Sequence, residues 1–165
     1  ARPAAPGESQ GVALMFFWIV TGIKSHLPDR LPEWVMGFAI LNYGLGLVGP
    51  GDAWTSPTAW AAMAHYAPEN AWGWLCVMLG IARLMALVIN GTFADTAYSR
   101  FSPHVRGSTA VAALGFWMMV MLSVSASGSI GSRIYVLPLV LEVWCIFHAW
   151  RDTGRARTAR DGMAR

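Results

Sequence analysis

The chain reads as an all-α, polytopic transmembrane helical bundle with four spans and a short N-terminal helix that is interfacial or partly inserted. Three observations carry that reading. Apolar runs at 33–49, 71–90, 109–126 and 133–150 each meet or approach the ~20 helical residues that a hydrocarbon core ~30 Å thick requires. Charged residues make up 13 % of the 165 residues, against about 25 % in a soluble domain, and most lie between or beyond the runs. The runs are also apolar on every side. They lack the alternation of a transmembrane barrel, so their backbone groups must be satisfied within each segment, as helix.

The N-terminal helix comes first. Val12 to Ile23 supplies a dozen apolar residues, a length typical of an interfacial or re-entrant piece, although Lys24 snorkelling to the surface extends it toward a tilted crossing. No small-x-small cleavage site follows it, so it does not read as a signal peptide. This gives an N-terminal segment at 1–32, a transmembrane domain at 33–150 and an arginine-rich tail at 151–165.

Helix boundaries between the spans follow from local chemistry. Ser56-Pro57 offers an N-cap before a proline at the first helical position, opening a short helix through about Tyr66. Trp60 and Met63 lie three apart on it, so one apolar face suits the membrane surface. Pro68-Glu69 opens the 71–90 span with an acid in the first turn, and Asn90-Gly91 is a C-terminal stop. Ser102-Pro103 starts another helix, which gives the 109–126 span an extra turn carrying His104 and Arg106. Trp34, Trp72, Trp74 and Trp150 fall at span ends, where indoles gather at headgroup level. Trp18, Trp117 and Trp144 are deeper and are expected to pack between helices.

Charge sets the orientation. Residues 24–32 hold Lys24 and Arg30, and 91–108 hold Arg100 and Arg106. The tail holds Arg151, Arg155, Arg157, Arg160 and Arg165, whereas 50–70 hold no Lys or Arg and 127–133 only Arg133. Positive charge therefore alternates sides with each crossing, which places the tail and the 24–32 and 91–108 segments in the cytoplasm. The tail arginines read as a basic strip at an anionic membrane surface rather than as a sequence-specific nucleic-acid site.

Two charges survive deep inside the spans, away from the run ends. Arg83 and Glu142 lie roughly 10–12 Å from the cytoplasmic ends of their helices at ~1.5 Å per residue, so their depths match. A lone charge there costs ~2.5–3.5 kcal/mol even on the lenient insertion scale, and the simplest solution is an ion pair across adjacent helices. Such a pair either fixes helix register or lines a polar path or a switchable contact between subunits. Small residues mark close helix contacts: Ala82 with Ala86, Ser108 with Ala112, and Gly37 with Gly44, while Asn42 offers an interhelical hydrogen bond. The methionines at 118, 119 and 121 are expected to fill gaps between helices.

Catalytic and cofactor chemistry finds little support. His26, His104 and His148 fall at span boundaries and His65 in the outer loop, none placed to hold a haem between helices. Cys76 and Cys145 lie at different depths and read as buried apolar residues rather than a disulfide. No Walker loop, GxGxxG, HExxH or GxSxG occurs in the sequence, and no metal, cofactor or catalytic residue is expected.

Taken in order, a set of short features resembles a group of small four-span membrane proteins encoded by tailed bacteriophages and prophages. They are the Gly-rich run from Trp34 to Gly49, Ser56-Pro57, and Ala67-Pro68-Glu69-Asn70-Ala71-Trp72-Gly73. Arg83-Leu84 with Ala86-Leu87, Ser102-Pro103-His104-Val105-Arg106, Trp117 and Trp150-Arg151 complete the set. The resemblance covers about residues 33–152, leaving out the N-terminal segment and the tail. It implies a phage context and a non-enzymatic role, and supplies no catalytic residues. The expected protein is a structural or assembly component, either a virion or genome-ejection component that inserts in the host envelope or a holin-like one. Its partners would be the lipid bilayer and copies of itself or a larger assembly. The competing expectation is an accessory subunit of a respiratory or photosynthetic membrane complex.

Overall fold

The computed structural model describes the backbone at 8–51, 54, 57–92 and 102–163, and side chains at 28–51, 54, 58–89 and 102–154. The described residues form only helices and their connections: α1 (Glu8–Val48), α2 (Pro57–Tyr66), α3 (Glu69–Thr92), α4 (Ser102–Ala126), a 3-10 turn (Ile130–Tyr135) and α5 (Val136–Met163). Lys24, Trp18 and His26, the Ser56 cap, and Arg100 and the tail arginines beyond Arg151 are side chains outside the described set. Segments Pro28–Val48, Glu69–Ile89, Ser102–Ala126 and Ile130–Gly154 are long and apolar enough to cross a membrane.

Local chemistry sets the starts of α2, α3 and α4 where the sequence places them. Pro57 opens α2, and the Pro68 carbonyl accepts from Ala71 N at 3.0 Å and Trp72 N at 3.3 Å to start α3. The turn into α5 rests on Gly128, whose φ of +74° suits a residue without a Cβ. Ser129 Oγ then accepts from Gly131 N at 3.2 Å and caps the 3-10 turn.

Two boundaries differ from expectation. The stretch 24–32 was expected to link two helices, yet α1 runs unbroken through Pro28 and Pro32. The prolines are four residues apart, so their missing donors fall on one side of the helix, a defect that membrane helices tolerate. At the other end α5 continues to Met163, so the described part of the tail is helix. The divisions at 32/33 and 150/151 therefore both fall inside helices.

The helices close into a ring in which α1 packs on α3, α3 on α4, α4 on α5, and α5 more lightly on α1. That order makes α1/α4 and α3/α5 the diagonals. The α1–α3 contact is the most intimate, and glycine makes it so. A Cβ on Gly44 would stand 2.7 Å from Val77 N and 2.8 Å from the Gly73 carbonyl oxygen, and one on Gly80 would stand 2.6 Å from Leu41 Cβ. A Cβ on Gly73 would meet Val48 Cγ2 at 2.6 Å, and one on Gly37 Leu84 Cδ2 at 2.9 Å. Each helix thus contributes two glycines seven residues apart, which lets the backbones approach as in other small-residue membrane packings. Gly37 and Gly44 lie where the sequence expected close contact; Gly73 and Gly80 complete the seam.

Several outward and inward assignments need correcting. The apolar face of α2 does not lie on a membrane surface: Met63 is buried in the core and Trp60 packs against it. Trp72 Nε1 donates to the Met63 carbonyl at 3.1 Å, so α2 caps the bundle. On α4 the small residues facing inward are Ala110 and Ala113, whereas Ser108 and Ala112 are exposed. Met118 also faces outward, as does Trp144 on α5, which is 52 % exposed. Ala86 is buried and Ala82 half-buried. Asn42 is exposed, so it is not an interhelical contact within this chain.

Candidate functional site

The interior divides into an aromatic half under α2 and an ionic half at the opposite end. In the aromatic half Tyr43 of α1 meets Phe116 and Trp117 of α4 edge-on, with ring centroids 5.4 and 5.3 Å apart. Trp72 and Tyr135 extend the cluster at 6.1 and 6.2 Å. These rings fill the α1/α4 diagonal with apolar volume.

In the ionic half the diagonals are spanned by charge. Arg83 of α3 and Glu142 of α5 are brought together: Arg83 Nη1 donates to Glu142 Oε1 at 2.8 Å and Oε2 at 2.7 Å. The two side chains are 1 % and 0 % exposed. Arg83 Nε and Nη2 are buried with no hydrogen-bond partner among the described residues.

The second diagonal carries a pair that sequence reasoning missed. Arg106 of α4 grips Glu33 of α1 through two parallel bonds, Nε to Oε2 and Nη2 to Oε1, both 2.5 Å. This fork-to-fork geometry is the strongest that the two groups form. The remaining terminal nitrogen, Nη1, donates to Asp152 Oδ2 of α5 at 3.1 Å. Arg30 Nη2 reaches the same oxygen at 3.2 Å from the partly exposed rim. Asp152 lies ten residues beyond Glu142 on α5, so the two groups stand about 15 Å apart along the bundle.

Helical register explains why these side chains point inward. On α4, Arg106 belongs to the buried face of Ser102, Thr109, Ala110, Ala113, Phe116, Trp117 and Val120. On α1, Glu33 shares the inner face with Met36, Gly37, Ile40, Gly44 and Leu47. Ser102 Oγ donates to the Ala86 carbonyl at 2.8 Å and ties the start of α4 to α3. Glu33 is the first residue of its apolar run and Arg106 lies three residues before its own, so the charge count read Arg106 as a loop residue and passed over Glu33. Continuing the α4 register backwards from Ala113 through Thr109 would have found Arg106.

The charges fall into two balanced clusters, Arg83 with Glu142 and Arg30 and Arg106 with Glu33 and Asp152. Three guanidinium groups (Arg30, Arg83, Arg106) face three carboxylates (Glu33, Glu142, Asp152), so the formal charges cancel. Taking a charge out of water costs several kcal/mol per ion, and attraction offsets that only with good geometry and further hydrogen bonds. Removing one member of either buried pair, Arg83–Glu142 or Arg106–Glu33, leaves an uncompensated charge in a low-dielectric site. The network therefore determines which helices meet and at what height.

Other candidate residues stay apart. His65 and His104 are exposed, and His148 is half-buried beside Trp144 with ring centroids 4.9 Å apart. Among the described residues no three His, Cys, Asp or Glu side chains gather to hold a metal. Cys76 and Cys145 are buried free thiols. Arg151, of the basic strip, is exposed.

Together, four helices among the described residues that are long and apolar enough to span a membrane, packed around buried ion pairs, define the class: an all-α membrane helical bundle. Beyond that class, no protein-family model, curated protein or solved structure matches the chain.

Proposed function

We propose that this chain is a non-enzymatic structural component of a membrane, working by assembly with copies of itself or within a larger complex. The observation that carries the reading is the pairing of every one of Arg30, Arg83 and Arg106 with a carboxylate of another helix, Glu33, Glu142 or Asp152. These charges are engaged in holding helices to one another. A catalytic or transport site would instead be expected to present an acid, a base or a charge to a substrate.

The alternation of positive charge between spans supports an orientation with the arginine-rich end in the cytoplasm. The resemblance to small four-span phage proteins supports a narrower reading: a virion or genome-ejection component inserted in the host envelope, or a holin-like one. In either case the bilayer is the first partner, in a bacterial inner membrane or host envelope, and no sequence-specific nucleic acid is needed.

Gentle extraction of the intact chain into lipid nanodiscs, followed by native mass spectrometry, tests this. A discrete oligomer or a defined set of companions is the expected result. A monomer without companions at every concentration overturns it. Dye leakage from cells on induction separates the holin-like version from the virion version.

A further inference from the structure

The outer face of α1 carries a second apolar stripe, and no described helix packs on it. Leu31, Val35, Phe38, Asn42 and Leu45 follow one another at alternating spacings of four and three, the 3.5-residue repeat of helices that wrap around each other. The apolar members are 51, 47, 57 and 56 % exposed respectively, and Asn42 is exposed with them. The opposite face of the same helix (Glu33, Met36, Gly37, Ile40, Gly44 and Leu47) is already engaged within the chain. α1 therefore has one face filled by its neighbours and one that is exposed.

Asn42 distinguishes this seam from an ordinary lipid-facing surface. It lies six residues inside the end of α1 at Val48, about 9 Å into the apolar span. Elsewhere the outward faces at comparable depth are apolar: Leu75, Met78, Ile81 and Met85 on α3, Val111, Met118 and Leu122 on α4, Val140, Val143 and Phe147 on α5. Ser108, exposed on α4, satisfies its hydroxyl on the Val105 carbonyl at 3.1 Å. Asn42 makes no side-chain hydrogen bond to any described residue. An amide left unpaired in hydrocarbon is costly, and pairing with another helix removes that cost.

From these observations we infer that the outer face of α1 is the contact with a second copy of this chain, with Asn42 pairing with Asn42 of the other copy. The inference rests on the assembly reading above and names its partner. A carboxamide carries both donors and an acceptor, so it is complementary to itself. Two copies in one membrane with the same orientation are related by an axis along the bilayer normal, and such an axis sets each residue of the seam opposite its own counterpart. Gly46 lies one turn from Asn42, and a Cβ there would meet nothing within 4 Å, so the backbones have room to approach.

Single-cysteine substitutions in the full chain, oxidised in native membranes, test the proposal. Cys76 and Cys145 are buried, so the unmodified chain supplies the baseline. Val35→Cys, Phe38→Cys, Asn42→Cys and Leu45→Cys are expected to cross-link to the same position of a second copy, whereas Met78→Cys and Val140→Cys are not. In parallel, Asn42→Leu is expected to weaken self-association about tenfold, the scale of an interhelical hydrogen bond in a membrane, and to leave thermal stability unchanged. Asn42→Gln should retain most of the association. If oligomers form but cross-link through α3 or α5, or if Asn42→Leu leaves them intact, the α1 seam is wrong and the assembly reading stands. Cross-links from α1 only to a different protein overturn the second-copy assignment. A monomer without companions overturns both.

Discussion

The two halves of the bundle solve the same geometric problem with different chemistry. Under α2 the α1/α4 diagonal is filled by Tyr43, Phe116 and Trp117. At the other end the diagonals are crossed by Arg106 to Glu33 and by Arg83 to Glu142. Rings fill volume, and their loss should scale with the cavity left behind. Ion pairs are all-or-none, because half a pair is worse than none. One half provides packing, and the other provides identity and height.

The largest expected effect comes from splitting a pair. Arg83→Leu alone should destabilise the fold by about 3–5 kcal/mol, while Arg83→Leu with Glu142→Leu should return close to the parent stability or exceed it. Unfolding in mixed micelles across the four members of this cycle measures the coupling; simple additivity would break the contrast between the halves. In the aromatic half Trp117→Ala should cost a comparable ~3–5 kcal/mol, but here removing the polar group of a neighbouring ring should not restore it. The same micelle assay, applied to Trp117→Ala with and without Tyr43→Phe, checks that.

A smaller effect is expected at the seam that both halves share. Gly80→Val adds bulk where even a Cβ would meet Leu41 at 2.6 Å, and should cost about 1–3 kcal/mol through overpacking. Engineered cysteine pairs across α1 and α3 would report the separation as lost cross-linking. Smallest of all is Arg30→Ala at the rim, where the Asp152 partner is 23 % exposed. Its loss should cost under ~1 kcal/mol and vanish at high salt, while the buried pairs barely respond to salt.

Much of this architecture is legible in the sequence where one residue decides the matter locally. Pro57, Pro68 and Ser102 mark helix starts without reference to anything distant. Arg83 and Glu142 announce each other because a charge inside an apolar run demands a partner at its own depth. Arg106 and Glu33 escape because they sit at run ends, where a charge ordinarily meets water; only their helical phase betrays them. Ser108 and Ala112 do not mark the inward side of α4, because small residues recur on more than one face of that helix. The continuity of α1 through Pro28 and Pro32 was not readable either, since proline is a breaker by default and the exception depends on surroundings.

The diagonal pairs also impose an order on synthesis. Glu142 follows Arg83 by 59 residues and Arg106 follows Glu33 by 73. At 5–20 residues per second, the first member of each pair is made several seconds before its partner, about 3–12 s for Arg83. During that interval α3 carries an unneutralised guanidinium, which costs ~2.5–3.5 kcal/mol at the helix centre even on the lenient insertion scale. Its partner arrives only with α5, so a later span completes the fold of helices made before it.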